Sequence, residues 1–177
     1  MGITTKSIGK HWQSVKVFNE CAGNLDTVDD ISVDNQIGFI FSELEETITG
    51  FEARDAVELL DGACDLFVTV AGLMQKLEVA GFNVDEALAR VNSNNLSKFL
   101  DAEKFSPFSV LSDLPLGHTV KLNRKHNLLV IKDENDKVRK PKTFVPVDVS
   151  DLAPTNFFTS SPIGYSFDIM NMLRGTR

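Results

Sequence analysis

Cysteine is scarce in this chain, and so are long apolar runs. Only Cys21 and Cys64 are present, with no CxxC pair and no metal-type spacing, which excludes a disulfide-built scaffold and a zinc module. Both lie in apolar, helix-like stretches and are expected as buried, reduced thiols in a reducing compartment. The longest apolar-rich stretch, Cys64 to Met74, is interrupted by Asp65 and is far too short to span a membrane. The opening MGITTKSIGKHW has no apolar run of signal-peptide type, so a cytoplasmic location is expected, the host cytoplasm if the chain is viral. Positive charge is also in deficit. A net charge of −7 argues against nucleic acid as a partner. No internal repeat and no low-complexity tract is visible.

What is present is ordinary globular material unevenly charged. A length of 177 residues with 42% hydrophobic side chains is enough for one domain with a real core, or one domain with an appendage. Between His118 and Lys142 lie eight Lys/Arg against three acids, a surplus of five positive charges. The rest of the chain therefore carries −12 of the total −7. An acidic body with a basic appendage suits a cation-holding core and a phosphate-facing flap; a solvated basic hairpin suits it as well.

Four segments read as helices. Ile8, Trp12, Val15, Phe18 and Cys21 set the period of the first, about Thr5 to Ala22, which Gly23-Asn24 ends. An acidic loop with Asp26, Asp29 and Asp30 follows. Ile37, Ile40, Phe41, Leu44, Ile48 and Phe51 form the stripe of the second helix, with Gly50 near its end. The third, Ala53 to Ala80, is apolar around most of its circumference and leaves one narrow polar strip, Glu58, Asp61, Asp65 and Thr69. Gly81-Phe82-Asn83 punctuates the chain before a fourth helix, Val84 to Val91, with Asn83 and Glu86 spaced as a capping box. Beyond Leu100, His118–Asn123 and Leu128–Lys132 read as strands, with Val138–Val145 as a possible third. The stretch from Asp151 carries Phe157, Phe158, Pro162, Tyr165, Ile169, Met170 and Leu173, and is expected to dock on the body or on another subunit, with a short final helix.

Glu43 and Glu46 sit three apart on the second helix, and Glu58 and Asp61 three apart on the third. Residues at i and i+3 share a face. Two antiparallel helices joined by the short link around Gly50–Arg54 can therefore aim four carboxylates into one space. Such a group needs a cation, because mutual repulsion and desolvation otherwise protonate it. All-oxygen ligation selects a hard ion, Mg²⁺ or Mn²⁺, whose usual companion is a polyphosphate. Projection nevertheless places Glu43 and Glu46 off the Ile37/Phe41/Leu44/Ile48 stripe. The residues alone thus leave two readings open, a cation site and a solvated acidic face.

The run Ser42–Phe99 resembles the MazG-type all-α nucleoside triphosphate pyrophosphohydrolases, in the short single-domain form of phages and bacteria. Glu43-Leu-Glu-Glu46 and Glu58-Leu-Leu-Asp61 resemble that superfamily's ExxE and ExxD pairs. Asp65 with the following LFVTVAG resembles the continuation of its third helix, and Ser93-Asn94-Asn95-Leu96-Ser97-Lys98 its S-N-x-S-K segment. Lys137-Val-Arg-Lys140-Pro and the closing Phe-Val-Pro-Val-Asp148 resemble its C-terminal hairpin. The likeness covers about residues 15–148. Two departures stand out: Ser42 replaces a further Glu that often precedes ExxE, and the hairpin's usual Asp-Gly turn reads Asn135-Asp136. The tail beyond Asp151 has no counterpart in the family.

The resemblance implies a mainly α, multi-helix bundle completed by oligomerisation, a homodimer or tetramer, with a small C-terminal β-hairpin. It implies three regions: a catalytic bundle over 1–105, a loop and basic flap over 106–150, and a docked tail over 151–177. Glu43, Glu46, Glu58 and Asp61 would hold Mg²⁺, with Asp65 behind them and Glu46 or Glu43 as the base. Asn95, Lys98, Lys140, Lys137 and, less directly, Lys121 would contact phosphates. Trp12, Phe18 and Asn19 would form a base pocket, although a hydrophobic core is the more expected place for Trp12 and Phe18. The implied reaction converts a nucleoside triphosphate, a deoxynucleotide above all, into the monophosphate and pyrophosphate. Phosphoribosyl-ATP pyrophosphohydrolysis and a catalytically weak nucleotide-binding or interaction protein are the alternatives. No membrane partner is expected.

Overall fold

The computed structural model describes residues 5–158. The chain forms α1 (Thr5–Cys21), α2 (Asp30–Glu52), α3 (Ala56–Val79), α4 (Val84–Leu96), β1 (Leu100–Asp101), α5 (Pro107–Leu111), β2 (Thr119–Asn123), β3 (Leu128–Lys132) and a closing 3₁₀ turn (Ser150–Leu152). It is mainly helical, with one small three-stranded antiparallel sheet. Among the described residues, no helix is long and apolar enough to cross a membrane.

The chain divides into two compact units, 1–84 with 153–177, and 85–152. The boundary expected at 105 therefore falls inside the second unit, between β1 and α5.

Helix ends in the first unit follow from local chemistry. Gly23 and Gly81 take positive φ, 70° and 93°, and let the amides of Asn24 and Phe82 turn back onto the carbonyls of Asn19 and Leu77. Asp29 caps α2 by accepting from the Ser32 amide at 2.8 Å, and Asp55 caps α3 by accepting from Val57 and Glu58. Between α2 and α3 the link is short because Arg54 adopts φ 58°, with its guanidinium 5.2 Å above the Phe51 ring.

The apolar interior of this unit is small. Among its described residues, Val15, Val33 and Ala71 are the buried apolar ones, and a polar seam fills the space between them. Asn19 donates to Gln75 at 3.0 Å, Gln75 donates to the Trp12 carbonyl at 3.2 Å, and Gln36 donates to the Thr69 carbonyl at 2.9 Å. Buried Lys76 donates to the Asn24 carbonyl at 3.0 Å; burial pushes its pKa down, partly offset by the charge of Asp29. Cys21 and Cys64, expected to be buried, are exposed. Cys21 is the last residue of α1, and Cys64 lies on a side of α3 that the helices of this unit leave open.

In the second unit α4 runs five residues beyond its expected end at Val91, to Leu96. The sheet has the order β1-β3-β2, with Leu129 opposite both Leu100 and Leu122. Leu100, Val110, Leu129 and Ile131 form its core, flanked by Ala102, Leu114 and Val120. The third strand expected over Val138–Val145 does not form. Val138 makes a single bridge to Lys132, the Arg139 amide reaches the Ile131 carbonyl at 2.8 Å, and Pro141, which has no N–H, follows. Leu100–Asp101 occupies the other edge of β3 instead. In the Asn135-Asp136 turn, Asp136 takes φ 61°, the conformation a glycine adopts without strain.

Of the tail, Phe157 packs edge-on against Phe82 of the same unit, with centroids 5.2 Å apart. The remaining positions expected to dock, Pro162, Tyr165, Ile169, Met170 and Leu173, lie outside the described residues, as does the expected final helix.

Candidate functional site

The site begins with the way α2 and α3 touch. A methyl group at Gly62 would stand 2.8 Å from Thr47 Oγ1 and 3.0 Å from its backbone. One at Gly50 would stand 2.7 Å from the Leu59 nitrogen and 3.1 Å from Glu58 Cβ. The antiparallel helices therefore meet backbone to backbone at two glycines. Thr47 is held by donating to the Glu43 carbonyl at 2.7 Å. This contact carries Glu43 and Glu46, one turn and one residue before Thr47, to the level of Asp61 and Asp65, which flank Gly62.

The charges record that juxtaposition. The Glu43 carboxyl is pushed above its ordinary value, first by burial and then by the negative charges of Glu46, Asp65 and Asp61. Glu43 is half-buried; Glu46, Glu58, Asp61 and Asp65 are exposed and free to change rotamer. Asp65, expected behind the ligands, acts on Glu43 ahead of Asp61, and Glu58 lies one turn further along, beside Gly50. As the side chains stand, no group of three or more His, Cys, Asp or Glu among the described residues is arranged to hold a metal ion. The donor set is all oxygen, the chemistry a hard divalent cation would take, and it could surround one only if the exposed carboxylates turned inward.

The residues expected to meet phosphate belong to the second unit. Lys98 Nζ donates to Asn95 Oδ1 at 2.7 Å on the exposed side of the end of α4. Lys140 sits 4.5 Å from the centre of the Phe144 ring, while Lys137 and Lys121 are exposed. A neighbouring face of α4 lines a groove of about 670 Å³ against the extended segment 143–148. Arg90, Ser93, Asn94 and Ser97 lie along it, and Asn94 donates to the Val145 carbonyl at 2.6 Å. Arg90 is fixed by Asp151 at 2.6 and 3.0 Å and by Glu86 at 2.8 Å. The sequence reading had not singled out Arg90 or this groove; a basic residue four after Glu86 on a short helix was the available signal.

The three residues expected to line a base pocket differ in exposure and partners. Trp12 is half-buried and Phe18 is 62% exposed. Asn19 is buried and uses both ends of its amide inside the unit, donating to Gln75 and accepting from Asn24. Compared with protein-family models, with curated proteins and with solved structures, the chain gives no match.

Proposed function

We propose that this chain is a Mg²⁺-dependent nucleoside triphosphate pyrophosphohydrolase of MazG type, a cytoplasmic homo-oligomer that releases the monophosphate and pyrophosphate. The observation that carries the reading is the close approach of Thr47 to Gly62, which sets Glu43 and Glu46 of α2 against Asp61 and Asp65 of α3. Acids gathered on one side of a helix pair repel one another, and a bound cation would relieve that repulsion. The ordered likeness of residues 42–148 to that family supports the substrate class.

A bound divalent cation supplies neutralisation of the phosphate charge and an acidified water. The chain's own task is positioning. Glu43, Glu46, Glu58 and Asp61 would hold the cation with Asp65 behind them, and Glu46 or Glu43 would take the proton of the water that attacks phosphorus as the bond to the pyrophosphate leaving group breaks. Asn95, Lys98, Lys140 and Lys137 remain phosphate contacts on the strength of the resemblance. A small apolar interior with much apolar surface outside supports assembly into dimers or tetramers.

Pyrophosphate release from a panel of ribo- and deoxyribonucleoside triphosphates, with Mg²⁺ and with EDTA, tests the proposal. Metal-dependent release with a matching monophosphate is the expected result. Turnover of phosphoribosyl-ATP alone would move the assignment within the superfamily. Tight Mg²⁺–nucleotide binding by a folded sample without product would replace hydrolysis by a binding role.

A further inference from the structure

β2 is an outer strand of its sheet, and half of its backbone groups meet no other strand. In an antiparallel ladder the N–H and C=O of one residue point to the same side. On β3 the Ile131 carbonyl accepts from the Arg139 amide, and just before the strand the Asn127 carbonyl accepts from the Ala102 amide. The odd-numbered residues there thus turn their backbone groups away from β2. Val120 and Leu122 stand opposite Ile131 and Leu129, so they are the non-bonded pairs of this ladder. Their own N–H and C=O groups point out along the open edge, and among the described residues nothing takes them. An open edge is a template for a further strand, which proteins normally blunt with proline or a bulge. β2 has neither: TVKLN pairs in unbroken register throughout its five residues.

Two features choose the occupant. One is apolar. Helix α5 packs against β2, with Val110 in the core and Ser109 lining a small cavity with Ile131 and Pro141. Leu111 is turned from Val110 by about 100° in the opposite sense to Ser109, toward the outer edge of β2. It is 44% exposed, and Leu122 45%. The other is charge. Arg124 and Lys125 stand exposed at the hairpin tip that ends β2, and among the described residues neither has an acid partner. Asn123 shapes this tip by accepting from the amides of Lys125 at 3.1 Å and His126 at 3.3 Å. Glu134 lies at the opposite end of the strand, where a methyl at Gly117 would stand 3.4 Å from its carboxylate.

A second copy fits this edge poorly. Two-fold pairing of β2 with itself, Val120 against Leu122, would set Lys121 against its own counterpart at about 4.5 Å, where like charges repel. We propose that the open edge of β2 takes, as a fourth strand, an extended segment of a protein partner in which apolar residues alternate with Asp or Glu. Its backbone exchanges hydrogen bonds with Val120 and Leu122. Its apolar side chains lie beside Leu111 and Leu122, and its acids meet Arg124 and Lys125.

The test uses the full chain and requires no nucleotide. The probe is a fluorescein-labelled peptide of about seven residues alternating valine and aspartate, and its control carries lysine for aspartate. Fluorescence anisotropy should show the acidic peptide binding roughly tenfold tighter than the control, or better. At saturation, amide exchange followed by NMR should slow roughly tenfold at Val120 and Leu122, with the already bonded Lys121 amide little changed. Leu122→Pro removes one outward donor and leaves the β2–β3 ladder intact, so the folded variant should bind roughly tenfold more weakly. Arg124→Glu with Lys125→Glu, which alters exposed side chains only, should reverse the preference between the two peptides. No measurable binding of the acidic peptide, or binding that leaves the Val120 and Leu122 amides unchanged, would overturn the proposal. So would an unreversed preference in the charge variant. Tighter binding of an oligothymidine of about ten nucleotides would also overturn it, and would assign the tip to nucleic acid.

Discussion

Replacing Gly62 and Gly38 by alanine, one at a time, should move stability in opposite directions. Both glycines sit in long helices, and in an isolated helix each alanine would gain about 0.5–1 kcal/mol by restricting the unfolded chain. At Gly38 nothing lies within 4 Å of the new methyl, so the gain stands. At Gly62 the methyl meets Thr47 Cα and nitrogen at 3.0 Å and Oγ1 at 2.8 Å. Two of those atoms are backbone and cannot swing aside, and the hydroxyl is held by its bond to the Glu43 carbonyl. Forcing α2 and α3 apart costs about 1–3 kcal/mol, typical of overpacking. Taking ~2 kcal/mol for the clash and ~1 kcal/mol for the propensity gain leaves Gly62→Ala less stable by about 1 kcal/mol. For a unit of this size that lowers the melting temperature by roughly 4–8 °C, while Gly38→Ala raises it by roughly 2–8 °C. Urea unfolding followed by helical circular dichroism checks both, the difference appearing in the midpoint with the slope unchanged. If Gly62→Ala matched or exceeded Gly38→Ala in stability, the close approach of the helices would be refuted.

Three further outcomes follow from single groups. Glu58→Gln or Asp61→Asn should abolish pyrophosphate release while leaving helical content and melting temperature nearly unchanged, and full activity in either would remove it from the site. Gln75→Leu, though more apolar, should destabilise by about 1–3 kcal/mol, because it strands the buried Asn19 amide; an unaltered urea midpoint would refute the seam. Asp133 is held below its ordinary value of 3.8 by the Lys137 amide, then by the Asn135 amide and Arg139. A depressed carboxyl contributes stability that is present above 3.8 and lost as pH falls through the lowered value. Asp133→Asn should therefore flatten the acid limb of the unfolding profile below 3.8, and an identical limb would count against this turn as an acid-sensitive element.

The helices were legible because their period and punctuation are local. Gly23 and Gly81 stop α1 and α3 by taking positive φ, which a reading of residue order can anticipate. The packing between helices was not legible. An apolar stripe normally marks the side that meets a neighbour, and on α2 that stripe is Ile37, Phe41, Leu44 and Ile48. The side that meets α3 is instead Gln36, Thr47 and Gly50, close enough for backbones to approach and for amides to pair. This is why Glu43 and Glu46, which project away from the apolar stripe, still lie toward α3. Pairing in the sheet was lost for a related reason. Two residues, Leu100 and Asp101, are too few to show a period, and the segment read as a possible third strand, Val138–Val145, is one that Pro141 prevents from continuing.

The polar seam and the apolar surface left exposed on α3 are two consequences of one arrangement. Side chains that could have formed an apolar core, such as Leu60 and Phe67, point outward because glycine, threonine and amide groups occupy the inner contact. Directional hydrogen bonds such as Gln36–Thr69 fix the register of α2 against α3 more sharply than apolar packing would, and register decides whether Asp61 and Asp65 stand level with Glu43. A slip of one residue would rotate α3 by roughly 100° and carry both acids away from α2. The seam thus sets the acids in place, at the expense of apolar surface that α1 and α2 leave open. Helix α3 is then left with two demands, a counter-charge for its acidic side and a cover for its apolar side, and the helices packed against it satisfy neither.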